Sequence, residues 1–187
     1  ARTALGPPLT LADIRTWTKR GPTSWDRSET REGALSGAGG EISHALPDRA
    51  WEVHGVLTLA NTDEVKTDSA MVSVLGADGT RFAIVVRNLG STFLVMVQST
   101  DPSGATTTHH TDAIPPHELD VVVSRLSPHF LQITVNGVPL EHRLGIPAAA
   151  TPPRSFALSV TGSTQVGHGR LEVADVTLRQ ASFPAAP

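Results

Sequence analysis

The 187-residue sequence contains no cysteine and no tyrosine, and aromatic residues make up only 4% of it. The absence of cysteine excludes disulfides, thiol catalysis and thiolate metal sites. No apolar run is longer than Phe93 to Val97, which is far too short to span a bilayer. The formal net charge is -3, and the sequence contains no block of basic residues. We therefore predict neither a nucleic-acid partner nor direct insertion into a membrane.

Motifs that carry catalysis are also missing. The chain lacks GxSxG, GxGxxG and the full Glu-x-Asp-x-x-Glu pattern of glucanases. Neither Asp63 with Glu64 nor Glu172 with Asp175 places two acids on one strand face at positions i and i+2. We predict no catalytic residues, no hydrolase activity and no nucleotide cofactor.

The patterns of metal ligands are incomplete. The segment "NTDEVKTD" offers the oxygen ligands of Asn61, Asp63, Glu64 and Asp68. It lacks the fixed spacing of a calcium loop, which favours a polar turn. His109 and His110 are adjacent, so in a regular strand they would point to opposite faces. The other histidines are scattered, without an HExxH motif: His44, His54, His117, His129, His142 and His168. We predict no metal site.

Alternation of polar and apolar residues begins at Trp25 and continues along most of the chain. The segment "HFLQITVNGVPLEH" predicts a β-hairpin, because Asn136 and Gly137 tolerate the positive φ angles of a type I′ turn. Asp78-Gly79 predicts a second hairpin. In "GRLEVADVTLRQ" the apolar residues occupy odd positions up to Val173 and even positions from Val176, and this change in the alternation predicts a bulge near Ala174-Asp175.

These signals predict an all-β fold: an antiparallel two-sheet jelly-roll sandwich of about twelve strands over residues 25–180. Trp51 alternates in phase with the inward-facing Val53. We expect the following side chains to face the core: Leu131, Ile133, Val135, Phe156, Leu158 and Val160.

The first part of the chain, residues 1–24, shows helical periodicity instead. "PPLTLADIRTWTKRGP" predicts one short N-terminal helix, with Thr10 as its N-cap and Leu11, Ile14 and Trp17 on one face. A helix of about ten residues is marginal alone and must dock on something. The tail, residues 181–187, carries Phe183 among small residues.

Strand "FLVMV" is apolar on both faces, whereas a half-exposed antiparallel strand is normally polar outside. Leu94 and Met96 would face outward, so either the N-terminal arm or another protein must cover them. Together with the apolar residues of the two termini they form a predicted partner surface: Leu9, Leu11, Ile14, Trp17, Leu94, Met96 and Phe183.

The late hairpin "FLQITVNGVPL", followed by "GRLEVADVTLRQ", resembles the concanavalin A-like lectin/glucanase sandwiches. An early "REGALSGAGGEISHALPDRAWEVHGVLTL" adds to the likeness, which is nearest to laminin-G-like and 3-keto-disaccharide hydrolase-like domains. The resemblance covers residues 25–180 and implies two curved sheets of six or seven strands. It implies no single activity, because this fold carries enzymes, lectins and adhesion modules.

From these observations we predict a non-catalytic interaction module that docks on other chains of a larger assembly, membrane-bound or not. The chain opens on Ala1 rather than Met, as a mature exported chain would, and thirteen of its fifteen basic residues are Arg, which is typical of GC-rich bacterial coding. We therefore expect a bacterial periplasmic or cell-surface location. The alternatives are a carbohydrate-binding module, for which Trp25 is the free aromatic platform, and a sugar-active hydrolase of the same fold.

Overall fold

The computed structural model describes residues 5–10, 17–20, 23–26, 33–37, 41–60, 67–146, 152–162 and 169–184. Every regular element in them is a β-strand. The strands in chain order are β1 (Leu9–Thr10), β2 (Thr18–Arg20), β3 (Thr23–Asp26), β4 (Gly33–Gly37), β5 (Glu41–Ala45), β6 (Ala50–Leu59), β7 (Thr67–Gly76), β8 (Arg81–Asn88), β9 (Phe93–Thr100), β10 (Thr106–Ile114), β11 (Leu119–Ser127), β12 (Phe130–Val135), β13 (Val138–Gly145), β14 (Pro153–Gly162) and β15 (Gly169–Ala181).

The strands form two antiparallel sheets. Sheet A has the order β13-β12-β11-β6-β15-β4-β3, with β1 also paired to β15. Sheet B has the order β10-β9-β8-β7-β14-β5-β2. Since side chains alternate across each strand, both sheets have one apolar face, and burial of these two faces against each other makes the core. The predicted antiparallel sandwich is confirmed.

The core contains all six side chains that the alternation predicts to face inward. Their exposed fractions are Leu131 0%, Ile133 2%, Val135 4%, Phe156 5%, Leu158 1% and Val160 1%. Trp51 is fully buried, as its phase with Val53 predicts. Period-two patterning therefore fixes the register of the central strands, because a slip by one residue would turn each apolar set to solvent.

The predicted bulge in β15 is confirmed. The register between β15 and β6 shifts between Ala174 and Thr177, and Asp175 takes a positive φ of 54°. The extra residue restores the phase, so that Val173 before it and Val176 after it are both buried. Both halves of the strand therefore contribute to the same core.

Both predicted hairpins are also present. Asn136 and Gly137 have φ angles of 52° and 75°, and the flanking residues Val135 and Val138 pair directly. This is the two-residue loop that a type I′ turn makes. In the other hairpin, β7 and β8 are antiparallel neighbours and Gly79 has a φ of 90°.

The predicted N-terminal helix is wrong for the residues that the structure describes. Thr10, the expected N-cap, lies in β1 and pairs with Thr177, while Thr18–Arg20 form β2 against β5. Residues 11–16, including Leu11 and Ile14, lie outside the described residues. The physical reason is that the sheets offer unpaired backbone groups, and pairing with them outweighs the weak local preference for a short helix.

Trp17 is a core residue rather than a surface for a partner. It is 5% exposed, and its ring centroid lies 5.3 Å from that of His44 and 6.1 Å from that of Phe156. The apolar periodicity that suggested a docked helix therefore includes a residue that closes the sandwich itself.

The described parts of the arm do not cover Leu94 and Met96. The arm is fastened to sheet A, where the Gly6 amide donates to the Gln180 carbonyl at 3.0 Å and Arg179 Nε donates to the Gly6 carbonyl at 2.9 Å. It then joins sheet B through β2, the edge strand opposite the side where β9 and β10 lie.

Phe183 of the tail also packs on its own sandwich. The Arg125 guanidinium lies 4.9 Å from the centroid of the Phe183 ring, a cation–π contact. Arg125 is 4% exposed and its Nη1 donates to Asp48 Oδ1 at 2.8 Å. The tail therefore shields the buried guanidinium group of Arg125, which lies near the end of β11 and is paired with the Asp48 carboxylate.

Replacing Gly137 by Val should lower the free energy of unfolding by at least about 1 kcal/mol, because a left-handed backbone is costly for any residue with a Cβ, and more so for a β-branched one. The matched control is Gly145→Val in the same hairpin. At both positions an added Cβ meets no atom within 4 Å, but only Gly137 has positive φ. Urea unfolding that shows equal stability for the two variants would contradict the turn assignment.

Replacing Trp17 by Ala should cost about 3–5 kcal/mol, as is usual for removal of a large core aromatic side chain. Lys19→Ala, at an exposed residue two positions further along the chain, is the control and should change stability little. Thermal unfolding of the isolated chain is the measurement. A Trp17→Ala chain as stable as wild type would mean that this ring belongs to a surface and not to the core.

Candidate functional site

Among the described residues, the sandwich is open along one side, between the edge strands β13 of sheet A and β10 of sheet B. Residues of β10 are exposed on both faces of that strand. Asp112 shows this well, since it stands opposite the buried Val95 and therefore on the inner face, yet it is exposed. We call this side of the molecule the open edge.

A pocket of about 70 Å³ lies at the open edge, between the strands β9 and β10 and the hairpin of β12 and β13. Its residues are Val95, Asp112, Ile114, Val135, Asn136, Val138 and Leu140. Val95, Val135 and Leu140 are buried and make an apolar floor. Val138 is 57% exposed and stands at the mouth with the two polar residues.

The two polar side chains at the mouth are held by backbone hydrogen bonds. Asn136 Oδ1 accepts from the Asp120 amide at 2.8 Å, and the Asn136 amide donates to the Asp120 carbonyl at 2.8 Å. This leaves the Nδ2 group of Asn136 as a donor. Asp112 Oδ1 accepts from the Ala113 amide at 2.9 Å, which leaves its second carboxylate oxygen as an acceptor. The pocket therefore combines a donor and an acceptor with an apolar floor.

Beside the pocket, a bulge in β10 turns two histidines to the same face. The register with β9 shifts between Thr108 and His110. His109 Nε2 lies 2.6 Å from the hydroxyl of Ser99, while His110 stands opposite Val97, and Ser99 and Val97 share the inner face. The prediction that the two histidines point to opposite faces is wrong, because it assumed a regular strand.

His110 Nε2 is buried and has no hydrogen-bond partner among the described residues. Within those residues no group of three His, Asp or Glu side chains is placed to hold a metal ion.

The turn that connects β9 to β10 is held by hydrogen bonds to one carboxylate. The Ser103 hydroxyl and the Ala105 amide donate to Asp101 and lower the pKa of its carboxyl group.

A second surface is the outer face of sheet B, where the predicted partner residues Leu94 and Met96 are only partly buried. Met96 lies in a cross-strand row with Val85 and Met71, so four partly exposed apolar side chains adjoin one another. Next to them, Arg81 Nη1 donates to Ser73 Oγ at 3.0 Å and Arg81 Nη2 donates to Glu41 Oε2 at 3.2 Å.

The other sequence-predicted residues are separated. Leu9 lies in β1, paired with Leu178. Trp25 lies in β3, the edge strand of sheet A on the side away from the open edge, and its side chain lies outside the described residues. Asn61, Asp63 and Glu64 lie outside them as well, while Asp68 is an exposed residue of β7. The fold therefore does not assemble these residues into one site.

Glu172 and Asp175, the acids of β15, are also not arranged as a catalytic pair. Glu172 lies within the regular part of the strand, whereas Asp175 occupies the bulge. A histidine–carboxylate hydrogen bond not predicted from the sequence lies on the outer face of sheet A, where His54 Nε2 is 2.8 Å from Asp120 Oδ1. The two side chains are 34% and 54% exposed, so both also contact solvent. The i, i+2 spacing of Glu118 and Asp120 was the available signal for this place.

No protein-family model matches the sequence, and no curated protein matches it either. Solved structures do match. A Bacillus subtilis protein with a galectin-like fold has a TM-score of 0.64 at 10% identity, over 98% of this chain and 99% of that one. The carbohydrate-binding module CBM66 from Bacillus subtilis has a TM-score of 0.61 at 10% identity, over 88% and 95%. The apo Crh5 transglycosylase has a TM-score of 0.60 at 11% identity, over 97% and 90%.

The fold is that of the concanavalin A-like sandwiches. At identities of 10–11% the likeness concerns fold and not activity. The match covers 88% of this chain and 95% of the CBM66 module, so the sandwich corresponds to almost the whole length of that module. No helix among the described residues is long and apolar enough to cross a membrane.

Proposed function

We propose that this chain is a non-catalytic carbohydrate-binding module that binds a glycan at its open edge. The observation that carries the proposal is the pocket in which Asp112 and Asn136 stand over an apolar floor. An apolar lining with a few convergent polar groups is the usual composition of a small-ligand site, and at about 70 Å³ this pocket has room for one substituent of a ligand. The similarity in fold and length to a carbohydrate-binding module supports the choice of ligand.

A sugar suits this geometry because it presents hydroxyl groups together with apolar C–H surface. The free carboxylate oxygen of Asp112 can accept from a hydroxyl, and Asn136 Nδ2 can donate to one. Exposed Val138 offers a surface for C–H groups at the mouth. The platform is aliphatic, which differs from the aromatic stacking expected of Trp25 as the sugar-binding residue.

The same pocket argues for binding without turnover. Glycoside hydrolysis commonly takes two carboxylates that flank the scissile bond, about 5–10 Å apart. Of the described residues that line the pocket, Asp112 alone is a carboxylate. The exported location expected from the sequence would expose the module to glycans, and it stays a prediction.

Asp112→Asn should weaken glycan binding by about tenfold or more, since a hydrogen bond to a charged group contributes about 1.5–3 kcal/mol. The matched control is Asp68→Asn, which makes the same change at an exposed residue of β7. The ligand is first chosen from a glycan array, and both variants are then titrated by calorimetry. Equal affinity in Asp112→Asn and wild type, or no bound glycan on the array, would contradict the proposal.

A second candidate is an accessory subunit that binds another protein through the outer face of sheet B. It is favoured by one observation, the adjoining partly exposed side chains of Met71, Val85, Leu94 and Met96. Adjoining exposed apolar side chains on one sheet face are a common mark of a protein interface.

If that face binds a protein, the double variant Leu94→Lys/Met96→Lys should lose a chain that co-purifies with the wild type from its native cells. Leu89→Lys is the control, because Leu89 is 57% exposed but lies between β8 and β9 rather than on the sheet face. The stoichiometry of co-purifying chains is the measurement. A double variant that retains them at wild-type stoichiometry rules this face out.

A further inference from the structure

We infer that the open-edge pocket takes the acetamido group of an N-acetylated sugar. The inference rests on the proposed function, since it names the class of glycan that the same pocket selects. It is drawn from the size of the pocket, from the apolar character of its floor and from the two polar groups at its mouth.

The size of the pocket selects a substituent rather than a whole sugar ring. The pocket holds about 70 Å³. A cavity of about 150 Å³ accommodates benzene, whereas about 10–15 Å³ is enough for a single water. A pyranose ring with its hydroxyl groups is larger than benzene, so the ring must stay at the surface while one substituent enters.

The floor selects a methyl group. Val95, Val135 and Leu140 are 1%, 4% and 8% exposed, and Ile114 packs against the core beside them. A hydroxyl group pushed among these side chains would lose its hydrogen bonds to water without gaining others, which is unfavourable. The primary alcohol of a hexose is therefore a poor occupant, and a methyl-bearing substituent is a good one.

The mouth selects an amide behind that methyl group. The carboxylate of Asp112 has one oxygen free to accept from an N–H group, and Asn136 Nδ2 can donate to a carbonyl oxygen. An acetamido group supplies a partner for each of these features: a methyl, a carbonyl and an N–H. An O-acetyl group lacks the N–H, and the carboxylate of a uronic acid would be repelled by Asp112.

The test compares glycans that differ only in this group. On a glycan array the bound members should carry acetamido groups. In calorimetric titrations, tri-N-acetylchitotriose should bind at least about tenfold more tightly than the fully de-N-acetylated trimer. The de-N-acetylated trimer carries ammonium groups that Asp112 attracts, so cellotriose, which is neutral and has hydroxyl groups in their place, is titrated as well and should also bind at least about tenfold more weakly than the acetylated trimer. The amide resonances of Asp112, Ile114 and Leu140 should shift on addition of the acetylated trimer.

A pocket-filling variant supplies a protein-side test. Ile114→Phe should remove the preference for acetylated glycans, whereas Leu89→Phe, at an exposed residue that does not line the pocket, should keep it. Thermal unfolding of each variant checks that it is folded, and the comparison of ligands in the wild type does not depend on either variant.

The outcomes separate the two proposals. If acetylated and de-N-acetylated glycans bind equally, or if the bound array members lack acetamido groups, glycan binding stands and the acetamido assignment is wrong. If no glycan of either kind binds, both the proposed function and this inference are wrong. If binding prefers acetylated glycans but shifts resonances of sheet B's outer face instead, the pocket is not the site.

Discussion

The molecule depends on one constraint, that both halves of the thirteen-residue strand β15 must place their apolar side chains in the same core. A regular strand would turn Val176 and Leu178 to the outer face, because the apolar phase shifts between Val173 and Val176. The bulge at Asp175 removes this conflict with one residue at positive φ. The first half of the strand then pairs with β4 and the second half with β1, while β6 lies along its other side.

This arrangement determines which side of the sandwich stays open. The N-terminal arm binds β15 through Leu9 and Thr10 and then reaches sheet B through β2, so it covers the side on which β3 and β2 lie. In the part of the chain that the structure describes, the opposite side is formed by the hairpin of β12 and β13 and by the exposed strand β10. The pocket forms there because the tight turn at Asn136 brings an exposed polar side chain next to the apolar ends of the core. Asn136 therefore serves both the turn and the pocket.

The structural features that could be predicted from the sequence are those that depend on residues close together in the chain. The Asn136-Gly137 turn, the phase shift near Asp175 and the alternation around Ile133 are local signals, and the structure confirms each. The N-terminal segment was mispredicted because its strands exist only through partners more than twenty residues away in the sequence. The bulge before His110 gave no signal, since β10 is mostly polar and has no apolar phase to shift. The meeting of Asp112 with Asn136 depends on the two sheets facing each other, which spacing along the chain does not show.

Binding of a glycan at the open edge can be tested by a crystal structure of the chain with the best-bound array glycan. We expect density for a sugar at the mouth of the pocket, with one substituent between Asp112 and Asn136 and resting on Leu140. Density for the sugar on the outer face of sheet B, against Arg81 and Glu41, or beside Trp25 would contradict it.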